Sequence, residues 1–225
     1  MIAVTPPHAF YAGPPVRVRI EIARPRDLAV ELVRIANSRT VRRFTRTAAP
    51  AGTHVLRWNG LTAGGHVAGE GRYAVRVNDR RAAAFSFHRH RYPIDGPHAD
   101  RGGIGYFGAP RSGGRIHEGF DVLSPCGTPV VAARGGTVLE RVYDPVLYGN
   151  LLKIHVRRSH QVYWYAHLQG VSVAEGARVR TGQQLGTIGA TGNARTVGCQ
   201  LHFEERTHGV PMDPAPDLHR WDTWS

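Results

Sequence analysis

His117-Glu118-Gly119-Phe120-Asp121 and, far downstream, Gln200-Leu201-His202-Phe203-Glu204 decide how this chain is read. In the second stretch Gln200, His202 and Glu204 alternate with Leu201 and Phe203. A strand sends alternate side chains to opposite faces, so the polar three share one face and the apolar two point to a core. In the first stretch the even spacing of His117 and Asp121 places both on one face, and Gly119 favours extended or turning backbone over a helix. Tyr163-Trp164-Tyr165-Ala166-His167-Leu168 reads likewise, with Tyr163, Tyr165 and His167 on one side and Trp164, Ala166 and Leu168 on the other. Side by side in a sheet, these segments would gather His117, Asp121, His167, Gln200 and His202 in one cleft. Three N and O ligands with a fourth position left to water describe an open zinc site, not a closed structural one. Each fragment alone is weak evidence, because an isolated His-x-x-x-Asp is usually surface decoration.

Outward from these motifs the chain reads as all-β, in two parts. Val16-Arg17-Val18-Arg19-Ile20-Glu21-Ile22 alternates cleanly and predicts a half-buried strand. Further strands are expected at 28–35, 41–47, 54–58, 72–77 and 83–87, separated by Pro50-Ala51-Gly52, Asn59-Gly60, Gly64-Gly65 and Gly69-Glu70-Gly71. Six or seven strands at that spacing suggest a small β-sandwich over 1–90. Residues 91–104, with Pro93, Gly96, Pro97, Gly102 and Gly103, read as a linker. From there to residue 225 the pattern is again strands, at 130–133, 136–143, 151–156, 161–167, 185–188 and 199–205, with no convincing amphipathic helix. Residues 173–191 read as a glycine-punctuated hairpin in a mostly antiparallel sheet.

Composition narrows the class without naming an activity. The 225 residues carry a formal charge of +12, and Lys153 is the single lysine. The excess arginine reflects either codon preference or an anionic partner such as a cell wall or membrane surface. The arginines are scattered and form no nucleic-acid-binding motif, so nucleic acid is not expected as a partner. No apolar run reaches transmembrane length. No basic-then-apolar leader opens the sequence, so the protein is either cytosolic or has a leader that was removed or missed. Cys126 and Cys199 are either free buried thiols or one disulfide, the latter implying an oxidising compartment.

Two resemblances sharpen this reading. Residues 51–60, Ala-Gly-Thr-His-Val-Leu-Arg-Trp-Asn-Gly, followed by Gly69-Glu70-Gly71-Arg72-Tyr73-Ala74-Val75-Arg76-Val77, resemble the immunoglobulin-like module of flagellar hook-cap proteins. That resemblance makes Trp58 a core anchor and the module a spacer or docking unit. The later part resembles the lysostaphin-type zinc metallopeptidases, whose pattern is His-x-Gly-x-Asp, Tyr-Ala-His-Leu, a Gly-rich hairpin and His-x-His-Phe-Glu. This chain has His117 to Asp121, Tyr165-Ala166-His167-Leu168, the glycine-rich run 182–192 and Gln200 to Glu204. The resemblance implies a peptidase domain over 105–225, with Zn2+ held by His117, Asp121 and His202. It makes His167 one of two catalytic histidines, with Gln200 standing where the other would be. Glutamine can donate a hydrogen bond to an oxyanion but cannot take a proton from water.

The implied substrate is a peptide of bacterial peptidoglycan, and the implied location is extracellular or in the cell envelope. Glu204 is a candidate to orient a ligand imidazole. Tyr148, Asn150 and Tyr165 are candidates either for the substrate groove or for packing and turns. Convergence of the metal motifs would also bring Cys126 near Cys199, implying a disulfide bracing the site. The family includes non-catalytic regulators of other wall enzymes, so a wall-binding or hydrolase-activating module is the alternative. A structural surface protein with a vestigial second domain is the third reading.

Overall fold

The computed structural model describes residues 1–225, which divide into two units, Met1–His90 and Arg91–Ser225. The first unit has β1 (Ile2–Thr5), β2 (His8–Phe10), β3 (Val16–Ile22), β4 (Arg26–Arg34), β5 (Arg39–Ala49), β6 (Gly52–Trp58), β7 (Gly71–Val77) and β8 (Arg80–His88). One sheet runs β1-β3-β6 and the other β2-β8-β7-β4-β5. Along β3, Val16, Val18 and Ile20 are buried while Arg17, Arg19 and Glu21 are exposed, as the alternation predicts. The inner faces meet around Trp58, whose ring lies 4.9 Å from Phe87, 5.4 Å from Tyr73 and 5.8 Å from Phe85. Its indole N–H donates to Leu61 O at 2.7 Å, so the turn after β6 satisfies the one polar atom the ring brings inside. Gly60 follows with φ +82°, and a Cβ there would sit 2.7 Å from the Phe87 ring. The Trp-Asn-Gly signature is thus a packing requirement. The strands missing from the sequence reading, β1 and β2, are short and lie in the Pro/Ala-rich start.

The second unit has β9 (Ala99–Asp100), β10 (Phe120–Leu123), β11 (Pro129–Val131), β12 (Gly136–Asp144), β13 (Gly149–Val156), β14 (Gln161–Leu168), β15 (Gly170–Val171), β16 (Arg178–Val179), β17 (Gln184–Thr187), β18 (Gln200–Thr207), β19 (Val210–Met212) and α1 (Ala215–Asp222). The larger sheet runs β16-β12-β13-β14-β18-β10-β9, with β19 also paired to β18, and a smaller sheet runs β11-β17-β15. Phe120, Val122, Tyr163, Tyr165, Leu201 and Phe203 from the larger sheet share a core with Val130, Leu185 and Ile188, and with Leu218 and Trp221 of α1.

Three expectations are corrected. Residues 91–104 are not a linker. Arg91 N–H donates to Ala133 O, Val131 N–H to Pro93 O and Asp95 N–H to Pro129 O, and Tyr92 and Ile94 enter the core. Proline and glycine spacing concealed an extended segment held by its neighbours' backbones. The stretch 173–191 is not one hairpin, since β16 pairs with β12 while β17 pairs with β11 and β15. Positive φ at Gly176 and Gly182 breaks it twice. A helix is present after all: α1 buries only Leu218 and Trp221, too few positions for a periodicity to show.

Glu205 on β18 is buried, and its Oε1 has no hydrogen-bond partner. Burial, then the charge of and hydrogen bond to Asp217 on α1, push its carboxyl up to about 9. An acid so shifted contributes stability that is complete below its ordinary value of 4.5 and is lost as pH rises towards 9. Glu205→Gln is therefore expected to stabilise the second unit by about 1–3 kcal/mol at pH 8 and to be nearly neutral at pH 4; urea unfolding at the two pH values measures the difference. In the first unit, Trp58→Ala is expected to cost about 3–5 kcal/mol, read from chemical denaturation.

Candidate metal centre

The centre lies on the face of the larger sheet opposite the core. β10 and β18 pair antiparallel with Asp121 across from His202, and Phe120 across from Phe203. Alternation then sends both phenylalanines inward and both polar side chains outward. His117, just before β10, completes the group. Its Nε2 lies 3.1 Å from Asp121 Oδ1 and 2.9 Å from His202 Nδ1, and the last two atoms are 2.9 Å apart. Ligand atoms on a tetrahedral zinc stand about 3.3 Å apart, so a slight expansion would seat one ion. All three residues are buried, and they could hold a metal. Gly119 makes the approach possible, because a Cβ there would lie 2.5 Å from Phe203 O and 2.7 Å from His202 Cε1.

Partners on the far side of each candidate ligand fix which atom faces the centre. His117 Nδ1 contacts Tyr106 O at 2.8 Å, and an N–H donated there leaves Nε2 free to coordinate. His202 Nε2 contacts Glu204 Oε1 at 2.9 Å, which leaves Nδ1 inward. Arg206 Nε donates to Glu204 Oε2 at 2.6 Å and its Nη2 reaches Glu118, while its guanidinium stacks 4.2 Å over Trp164. On the other flank, Asp121 Oδ2 accepts from Arg101 Nη1 at 2.9 Å and lies 3.5 Å from Arg111 Nη2.

Burial opposes the ionised form of Asp121, but its contacts with His117 and His202 prevail and hold its carboxyl well below the usual range. Burial likewise disfavours charge on His202, yet bonds to Asp121 and Glu204 push it up to about 9.

His167 reaches this cleft by an unexpected route. Tyr163 and Tyr165 face the core, so strict alternation would send His167 there too. Instead the β13–β14 register shifts between Asn150 and Leu152, and His167 adopts φ +63°. This bulge turns the imidazole to the metal side, with its ring 5.8 Å from that of His202, and returns Leu168 to the core. Its Nδ1 contacts Thr191 O at 2.9 Å. An N–H donated to that carbonyl leaves Nε2 bare. Burial and then the His202 charge lower its pKa to about 4, so the ring is neutral. Gln200 is 2% exposed and lines the same cleft, and its Oε1 has no hydrogen-bond partner.

The five residues gathered in sequence thus converge. Tyr148 lines the cleft, whereas Tyr165 is a core residue accepting from Ala133 N–H, and Asn150 donates to Leu168 O. Cys126 and Cys199 form a disulfide with Cα atoms 5.3 Å apart, beside the end of β18. Arg101, Arg111 and Arg206 were not anticipated. Arg206 was legible, two residues beyond Glu204 on the same strand face, but the loop arginines carry no periodic signal.

Fold and site together define a two-module all-β protein with a candidate metal centre in its second module. Residues 115–214 match the model of Peptidase family M23 and residues 10–83 that of the FlgD Ig-like domain. The first match falls within the second unit of the structure and the other within the first, so each unit is similar to one of these families. It is 38% identical over 109 residues to the lipoprotein NlpD/LppB homolog of Pseudomonas aeruginosa, covering 48% of this chain and 35% of that protein. It is also 38% identical over 101 residues to the peptidoglycan DD-endopeptidase ShyC of Vibrio cholerae, covering 44% of this chain and 22% of that one. The chain spans about a third or less of these relatives' lengths. Among solved structures, the catalytic domain of lysostaphin from Staphylococcus simulans matches at 30% identity and TM-score 0.47, covering 52% of this chain and 90% of that one.

Glu204→Gln keeps the shape beside His202 and removes the charge. It is expected to weaken divalent-metal binding at least tenfold, measured by chelator competition on the full chain.

Proposed function

We propose that this protein is a zinc-dependent endopeptidase that hydrolyses amide bonds in peptidoglycan peptides at the cell envelope. The observation that carries the reading is the convergence of His117 Nε2, Asp121 Oδ1 and His202 Nδ1 to about 3 Å, beside a third imidazole, the neutral ring of His167. The M23 match and the name of the Vibrio cholerae relative support the substrate class.

When bound, zinc would polarise the amide carbonyl and make a bound water acidic near pH 7. His117, Asp121 and His202 would hold it, and their outer partners keep each donor atom inward. His167, anchored through Nδ1, presents Nε2 as proton acceptor for the attacking water and as later donor to the leaving amine. Gln200 can position water or donate its amide N–H to the developing oxyanion, but it exchanges no proton. Base catalysis thus falls on His167 alone. That burden favours one second reading, a zinc-holding module that binds the wall or activates another hydrolase without cutting.

Digestion of purified peptidoglycan by the wild type, Gln200→His and His202→Ala separates the two readings. The wild type is expected to hold one zinc and release new amine ends slowly. His202→Ala should lose both properties, and Gln200→His should raise the rate by about 10²-fold if it restores an acid–base group. Equal amine release from all three would remove catalysis at this centre.

A further inference from the structure

One wall of the cleft carries a local surplus of positive charge. The chain doubles back over 109–117: His117 N–H donates to Ala109 O at 2.8 Å and Arg111 N–H to Arg115 O at 2.9 Å, and Pro110 bridges to Ile116. Arg111 and Arg115 flank the tip of this hairpin, with Ser112-Gly113-Gly114 turning between them, and both line the cleft of about 550 Å³ beside Arg101. Arg101 and Arg111 share a single carboxylate oxygen, Asp121 Oδ2. Glu118, the other lining carboxylate, is paired with Arg206. Arg115 is exposed and makes no ion pair. Three guanidiniums therefore face the cleft, and the one carboxylate that answers two of them is itself a candidate metal ligand. The wall is short of negative charge.

We propose that Arg115, with Arg111, forms a subsite for a free carboxylate of the peptide substrate. The planar guanidinium fork matches a carboxylate bidentately, and Arg111 keeps donors beyond those directed at Ile104 O and Asp121. Arg111 lies 3.5 Å from an oxygen of the candidate ligand Asp121. A residue spans about 3.5 Å, so the carboxylate belongs one or two residues from the bond brought to the centre. Ile104, Ile116, Leu147 and Val197 supply apolar walls on the same cleft, suited to small aliphatic side chains beside that carboxylate. The peptide nature of the ligand rests on the function proposed above; the preference for an anion rests on the arginines.

The test is calorimetric binding of N-acetyl-tetra-alanine to the zinc-supplemented full chain, as the free acid and as the C-terminal amide. The acid is expected to bind about tenfold tighter, the effect of one charge-assisted contact. Arg115→Gln should bring the two ligands within twofold of each other, Arg115→Lys should retain part of the preference, and added salt should shrink it. Equal affinity, tighter binding of the amide or no measurable binding of either peptide overturns the subsite. A retained acid preference in a protein that releases no amine ends from peptidoglycan would leave the subsite standing and remove the peptidase reading.

Discussion

The antiparallel register that sets Asp121 opposite His202 is the constraint on which the second unit's chemistry depends. Strand side chains have a period of two, so a slip of one residue would turn Asp121 into the core and Phe120 out of it. Several independent features hold the register. Phe120 with Phe203, and Val122 with Leu201, are buried cross-strand pairs. Gly119 lets the chain pass against Phe203 O where any side chain would collide. Beyond the strand end, the Cys126–Cys199 disulfide closes a loop across a separation of 73 residues, a constraint of roughly 4 kcal/mol on the unfolded chain.

Around that pair, charge is arranged in two flanks with different tasks. On the His202 side, Glu204, Arg206 and Glu118 alternate in sign, and Trp164 covers the guanidinium, so every buried charge meets an opposite one. On the Asp121 side, cations outnumber the carboxylate that faces them. The first flank orients the His202 imidazole; the second leaves positive potential directed into the cleft.

Features that repeat along the strands were legible in the sequence. Alternation placed Val16, Val18 and Ile20, and separated Gln200, His202 and Glu204 from Leu201 and Phe203. Hidden features broke the period or left it too short to show. Alternation put His167 in the cleft together with Tyr163 and Tyr165; a bulge separates them, so His167 faces the cleft while both tyrosines enter the core. The helix carrying Leu218 and Trp221 has only two buried positions. Tyr92 and Ile94 are core residues in a segment whose prolines and glycines suggested loop. Arg101 and Arg111 reach Asp121 from irregular backbone, where residue spacing says nothing about direction.

The left-handed backbone at His167 gives the site an internal conflict. A non-glycine residue in that conformation carries roughly 1–3 kcal/mol of strain, which glycine would relieve and asparagine would ease. Selection for stability alone would therefore favour replacing the imidazole that faces the cleft. On the function proposed above, histidine at 167 is a position where fold and chemistry pull in opposite directions, because the imidazole offered to the cleft is also the residue held in left-handed backbone.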